Sequence, residues 1–203
     1  MTITWLGHSC FAVESGGYTI VLDPYFVESY PPLHTSAHEV LCSHGHRDHS
    51  FTEAVELLSK RESPFTIERI AAFHDEVQGA KRGENTIHIL RAEGLRVAHL
   101  GDLGHELSDS QLAPLRGCDA LLLPVGGYYT IDAATAKRVA DAIAARVIVP
   151  MHYRHGAHGY DVIGTVEDFT ALFPAETVTR LEGSAFDLTA DAPRGVVVPR
   201  FAG

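Results

Sequence analysis

The chain has 203 residues, 45% hydrophobic and 21% charged, with a formal net charge of -10 at pH 7. That length supports one domain with a substantial core, expected over residues 1–203. Several classes are argued against: no apolar run reaches a membrane span, an acidic chain without a basic stripe is a poor nucleic-acid binder, and three scattered cysteines (Cys10, Cys42, Cys118) fit neither a disulfide framework nor a cysteine-rich zinc site.

The opening Met1–Leu6 does not read as a signal peptide, so the expected compartment is the cytoplasm. Strand signals cover residues 2–6, 10–14 and 18–23, and Gly16-Gly17 marks a hairpin turn between the last two. Asp23 closes the third strand just before Pro24, where a carboxylate is costly to bury unless paired. Residues 24–38 carry three prolines and three aromatics without periodicity and predict a loop over a site. A short strand at 39–42 follows. Ser50-Phe51-Thr52-Glu53 then reads as a capping box, and Phe51, Ala54, Val55 and Leu58 share one helical face, which predicts a helix over 51–60.

Apolar stretches at 65–73, 86–90 and 95–100 predict strands, with turns at 79–85 and at Glu93-Gly94. A short helix is expected after Ser108. Residues 118–124 predict a strongly apolar strand that runs into Gly126-Gly127-Tyr128-Tyr129. The paired glycines allow close backbone approach; they lack the spacing and the lysine of a phosphate loop. Asp132 caps a helix with Ala136, Val139, Ala140 and Ile143 on one face. A strand at 146–150 leads to His152. A helix over 165–173 opens on Thr165 and Asp168, and strands near 177–181 and 185–189 close the chain. Periodicity alone gives an α/β or α+β protein.

The most informative segment is His44-Gly45-His46-Arg47-Asp48-His49, which gathers three imidazoles and one carboxylate in six residues. These groups are the usual ligands of zinc and other divalent transition metals. Ordering and desolvating them together needs the compensation that a bound metal supplies. Residues two apart in extended chain face one side, so His44 and His46 can chelate one ion. A bend must aim Asp48 and His49 inward.

These residues match the HxHxDH signature, and the chain resembles the metallo-β-lactamase superfamily of metal-dependent hydrolases. Leu6-Gly7-His8-Ser9-Cys10-Phe11, Val21-Leu22-Asp23-Pro24, Leu100-Gly101-Asp102 and Pro150-Met151-His152-Tyr153 extend the likeness in the right order. They point to the short branch that includes L-ascorbate 6-phosphate lactonases. The resemblance implies an αββα sandwich, two mixed sheets flanked by helices, with metals at one edge. It implies two divalent ions, zinc by default and manganese or iron as alternatives. His44 and His46 would serve the first, Asp48, His49 and His152 the second, and Asp102 would bridge both. The remaining first-site histidine is His74 or His99, with His74 preferred because it lies on a loop after a strand. His8, Asp23 and His99 are expected behind the ligands, orienting them.

The activity implied is hydrolysis by a metal-bridged hydroxide of an ester, lactone, amide or phosphodiester bond in a small substrate, anionic ones included. Asp48 is the expected catalytic residue, orienting the nucleophile or passing on its proton. A non-catalytic metal-binding or regulatory module and a nuclease or phosphodiesterase are the rival readings. No membrane or nucleic-acid partner is expected, and a homo-oligomer is left open. His155, His158, Tyr128 and Tyr129 could line the pocket or lie on surface loops.

Overall fold

The computed structural model describes residues 1–202. Largely alternating burial builds the first strands, giving way to continuous burial at the end of the third. β1 (Thr2–Gly7), β2 (Cys10–Ser15) and β3 (Tyr18–Leu22) form an antiparallel meander whose Ile3, Trp5, Phe11, Val13, Ile20 and Leu22 are buried. After β4 (Thr35–Ala37), β5 (Glu39–Leu41) joins β3 in parallel. A 3-10 turn at Thr52–Ala54 leads to β6 (Val55–Leu57), which pairs with β4 as a parallel ribbon.

A second meander comprises β7 (Thr66–Phe73), β8 (Glu84–Ala92) and β9 (Leu95–His99). Strands and helices then alternate through α1 (Asp109–Leu115), β10 (Ala120–Pro124), α2 (Ala133–Ile143), β11 (Val147–Met151) and α3 (Val166–Thr170). The last elements are a 3-10 turn at Ala175–Thr177, β12 (Val178–Arg180), β13 (Ala185–Asp187) and β14 (Gly195–Val198).

The strands form one five-stranded sheet, in order β13-β1-β2-β3-β5, and one seven-stranded sheet, in order β12-β14-β11-β10-β9-β8-β7. Ile3, Phe11, Ile20 and Leu22 from the first share a buried cluster with Ile87, Ile89, Leu121 and Val149 from the second. Full burial of each such side chain is worth about 1.5–3 kcal/mol, so the layer between the sheets is the main source of stability. α2 packs on β10 and α3 on β11. Ser108 and Asp132 accept the N-terminal amides of α1 and α2 as their sequence context predicts. The mixed α/β two-sheet architecture is the expected one, and among the described residues no helix is long and apolar enough to cross a membrane.

Four elements depart from expectation, the first being β4, a strand inside the stretch 24–38 predicted as loop, which forms by pairing with β6. Residues 51–60 do not form a helix. The Ser50 hydroxyl donates to the carbonyls of Gly45 and His46, which closes the histidine turn instead of capping a helix. Val55–Leu57 is extended and paired. The outer face of the five-stranded sheet, with Cys10 and Val21, is therefore covered by Tyr25, Val27, Tyr30 and Leu33 of the aromatic loop and by Ala54 and Val55 of the turn and ribbon. The helix predicted to 173 covers only Val166–Thr170. The strand β14 lies between β11 and β12, a position that the closing sequence did not predict.

One consequence of this topology positions the site. His8 follows β1, Asp23 follows β3, His44 to His49 follow β5, His74 follows β7, Asp102 follows β9 and His152 follows β11. Each lies just beyond the carboxyl end of its strand, where α/β proteins build their sites.

Candidate metal centre

Each strand end must turn sharply to present its side chain. His8, Asp23 and His152 adopt positive φ of 50°, 45° and 53°. Such conformations are uncommon for residues other than glycine and concentrate at functional sites. Close packing fixes one of these turns from behind. A side chain on Gly126 would put its Cβ 2.1 Å from the His152 carbonyl oxygen, so the first of the paired glycines is where the backbone must approach.

The side chains converge in two groups. His44, His46 and His74 bring ring nitrogens within 4.8 Å of one another, and His8, Asp48, His49 and His152 do the same beside them. Asp102 stands between the groups. Its Oδ2 lies 3.2 Å from His74 Nε2, 3.2 Å from His49 Nε2 and 3.3 Å from His152 Nε2. His44 Nε2 is 3.0 Å from His46 Nδ1. All the residues predicted to ligate are thus brought together. His8, expected behind them, sits among the second group, with Nε2 3.5 Å from Asp48 Oδ2 and its ring 4.3 Å from that of His152.

His99 is elsewhere in chemical terms. Its Nε2 faces the Ser9 carbonyl at 2.9 Å, and its Nδ1 accepts from the Gly101 amide at 3.2 Å. Both nitrogens are occupied, so His99 has none to offer an ion, whereas His74 faces the cluster.

Behind the second group, Asp23 is fully buried and fully used. It accepts from the Ser43 amide and hydroxyl, each at 2.6 Å, and its Oδ2 lies 2.7 Å from His49 Nδ1. Burial would raise the Asp23 carboxyl, but His99 and His49 hold it at about 2. Burial would lower His49, yet Asp102 and Asp23 push it well above the usual histidine range. Asp102 is held well below the carboxylate range: burial opposes this, and His152 and His49 outweigh it. In His44 and His8 burial, aided by neighbouring histidines, outweighs the nearby carboxylates and brings them to about 3 and about 4. They are therefore neutral at pH 7, the form that donates a lone pair to a metal.

The donor set fits a transition metal. His49 Nε2, His74 Nδ1, Asp102 Oδ1 and both nitrogens of His8 and His152 are buried without a hydrogen-bond partner. A buried polar atom left unpaired costs about 1–3 kcal/mol, and a cation that takes one lone pair from each facing imidazole and carboxylate would relieve much of that cost. Imidazole and carboxylate donors suit zinc, manganese and iron.

Several contributing residues escaped the sequence. Asn85 donates to the Leu100 carbonyl and accepts the Asp102 amide, which fixes the loop carrying Asp102. Asp75 accepts four backbone amides and shapes the loop after His74. Tyr160 donates to Asp48 Oδ2 at 3.0 Å. Asp75 sits beside a predicted ligand, which was a usable signal; Asn85 and Tyr160 gave none. His155 and His158 neither line the cleft nor lie free on the surface, but pack with Trp5, Tyr30 and Phe201. Tyr129 stacks edge-on against Tyr160, while Tyr128 is exposed.

Comparison with known proteins accords with this geometry. The family model of the beta-lactamase superfamily domain matches residues 2–152. The chain is 28% identical to a UPF0173 metal-dependent hydrolase of Archaeoglobus fulgidus, covering 75% of this chain and 83% of the relative. A second relative of that description, from Methanoculleus marisnigri, is 31% identical over 75% of this chain and 81% of its own. Among solved structures, a metallo-beta-lactamase superfamily protein from Thermotoga maritima shares 35% identity with a TM-score of 0.73, covering 98% of this chain and 97% of that one.

Proposed function

The chain belongs to the beta-lactamase superfamily and is a metal-dependent hydrolase, and from that premise we propose that it uses two divalent ions to cleave an ester, lactone, amide or phosphodiester bond in a small molecule. The observation that carries this reading is the position of Asp102, whose Oδ2 stands 3.2 Å from a histidine of each group. His44, His46 and His74 would hold the first ion, and Asp48, His49 and His152 the second, with Asp102 shared. Zinc is the proposed metal. When bound, such ions act as Lewis acids and make water nucleophilic at neutral pH. The protein's own part is to fix the ligands, exclude water and handle protons. Asp48 lies at the edge of the second group, partly exposed, where its carboxylate can orient the attacking water and take its proton.

The substrate body has a place beside this edge. A groove of about 420 Å³ runs between residues 26–29 and 157–161, and Tyr160 forms one wall of it while bonding Asp48. Phe26, Val27 and Ala157 supply apolar surface, Glu28 and Asp161 supply carboxylates, and among the described residues the lining holds no Lys or Arg, although the Arg47 guanidinium lies 4.0 Å over the Phe26 ring. An uncharged or cationic portion of the substrate suits such a wall, and a nucleic-acid backbone does not. Three unpaired cysteines accord with a cytoplasmic, reducing setting.

The test is a panel of lactones, acyl esters, amides and phosphodiesters, each with neutral, cationic and anionic leaving portions, assayed with zinc, manganese and iron. Metal-dependent turnover that a chelator abolishes, fastest for neutral or cationic leaving portions, is expected. Absence of metal-dependent turnover across all classes would overturn the reading.

A further inference from the structure

The geometry points to Tyr160 as a positioning residue that holds Asp48 in its ligating orientation at the second metal position. This rests on the two-ion reading above and adds a residue to it that lies outside the recognised motifs. Asp48 Oδ2 has one close hydrogen-bond donor, the Tyr160 hydroxyl at 3.0 Å; the neighbouring His8 and His49 Nε2 atoms stand at 3.5 and 3.8 Å. Asp48 sits on a turn and is partly exposed, so packing alone does not fix its carboxylate. A hydrogen bond from a residue behind a ligand commonly sets its orientation and basicity.

Tyr160 is itself held by its neighbours on the side away from the groove. Its ring meets Tyr129 edge-on at 5.5 Å and His8 at 5.8 Å. Its carbonyl accepts the Ile163 amide. The preceding Gly159 is tied to the opposite loop, its amide donating to Ser29 Oγ and its carbonyl accepting from the same hydroxyl. Gly159 has φ of +97°, and a Cβ there would come within 3.0 Å of Arg154 Cα, so this loop can hold its course only with glycine. Farther along, the Gly164 amide donates to the Gly126 carbonyl. The phenol hydroxyl is thus presented from a fixed frame.

The test compares wild type with Tyr160→Phe, Asp48→Asn and the double variant. Tyr160→Phe keeps the ring and removes only the donor. Zinc affinities are measured by competition with a chromophoric chelator on metal-free protein, with circular dichroism as the check on folding. The expected result is that Tyr160→Phe weakens the second zinc by about tenfold or more and leaves the first unchanged. Adding Tyr160→Phe to Asp48→Asn should produce no further loss, because Tyr160 acts through Asp48. Unchanged affinity for both ions in Tyr160→Phe, or additive losses in the double variant, overturns the assignment alone. A wild-type protein that binds only one zinc overturns the two-ion reading and this assignment with it.

Discussion

Asp23 and His49 form a fully buried pair, with Asp23 Oδ2 2.7 Å from His49 Nδ1. The pair locks one ring nitrogen of His49, so that Nε2 alone faces the cluster. Without metal, Asp23 is held at about 2, so its contribution to stability is present above the ordinary carboxylate value and is lost as pH falls through about 2. His49 is shifted upward, so its contribution is present below about 6.5 and fades as pH rises through its folded value. A metal must displace that proton. Zinc binding at pH 7 is therefore expected to release close to one proton from His49, measurable by titration calorimetry in buffers of different ionisation heat. Asp23→Asn should reduce this release, Asp102 still favouring the proton, and the metal-free variant should lose about 3 kcal/mol, since one partner of a buried pair is removed. Release that is the same in the variant would refute the assignment of the proton to His49.

His74 and His99 separate a proposed ligand from a structural histidine. His74→Ala should weaken zinc binding at the first position at least about tenfold while the metal-free chain melts near the wild type, because His74 turns to the cluster. His99→Ala removes the partners of the Ser9 carbonyl and the Gly101 amide in a fully buried place. It should cost about 3 kcal/mol, roughly 6–12 °C in a chain of this size, and leave zinc stoichiometry intact. Melting curves and metal content on the two variants decide it; the opposite pattern would exchange their roles.

What could be read from the sequence was whatever the chain encodes locally. The ligand run from His44 to His49 is contiguous, and Asp132 stands directly before the helix that it caps. The contacts that set the site's shape are long-range. Tyr160 and Asp48 are 112 residues apart, and Asp23 and His49 are 26 apart. Family resemblance placed Asp23 near the metals, but nothing marked Tyr160. The helix expected after Ser50 failed for a related reason. A serine before an apolar run is a cap in isolation, yet here its hydroxyl serves the carbonyls of Gly45 and His46, and tertiary pairing takes the following residues into a strand. β14 went unseen because a four-residue strand gains its identity only from the neighbours β11 and β12.

Asp75 supports the first position as Asp23 supports the second. Its two oxygens accept the amides of Val77, Gly79, Lys81 and Arg82 at 2.7–2.9 Å. Burial would raise this carboxyl, but the four amides, those of Arg82 and Lys81 foremost, hold it at about 2. The loop should stay ordered above the ordinary carboxylate range and loosen as pH falls through about 2. Asp75→Asn keeps an acceptor for Val77 and Gly79 but turns an amine toward Lys81 and Arg82. Faster hydrogen exchange at those four amides and weaker binding of the first zinc are expected, with the second zinc unaffected. Unchanged exchange would show that the loop holds without this carboxylate.

Asp48 should matter far more for turnover than for folding. Its side chain lies on a turn at the edge of the cluster, partly exposed, and no core strand packs against it. It faces the second group, and its Oδ2 carries the Tyr160 hydrogen bond. Burial would raise its carboxyl, but the adjacent His8 and His49 rings hold it far below the usual range, so it is ionised at neutral pH. In the proposed two-ion reading, an ionised carboxylate there would serve as ligand and as acceptor for the proton of the attacking water. Asp48→Asn removes the charge and half of the acceptor capacity at nearly constant shape. The variant should melt within a few degrees of wild type, the size of shift that about 1 kcal/mol produces here. Turnover of the best panel substrate should fall at least about a hundredfold, the scale on which a positioned proton-transfer group contributes. Restoring full zinc occupancy with excess metal separates the two duties of the carboxylate. If rate recovers with occupancy, Asp48 is a ligand only; a deficit that persists with both ions bound assigns it the proton.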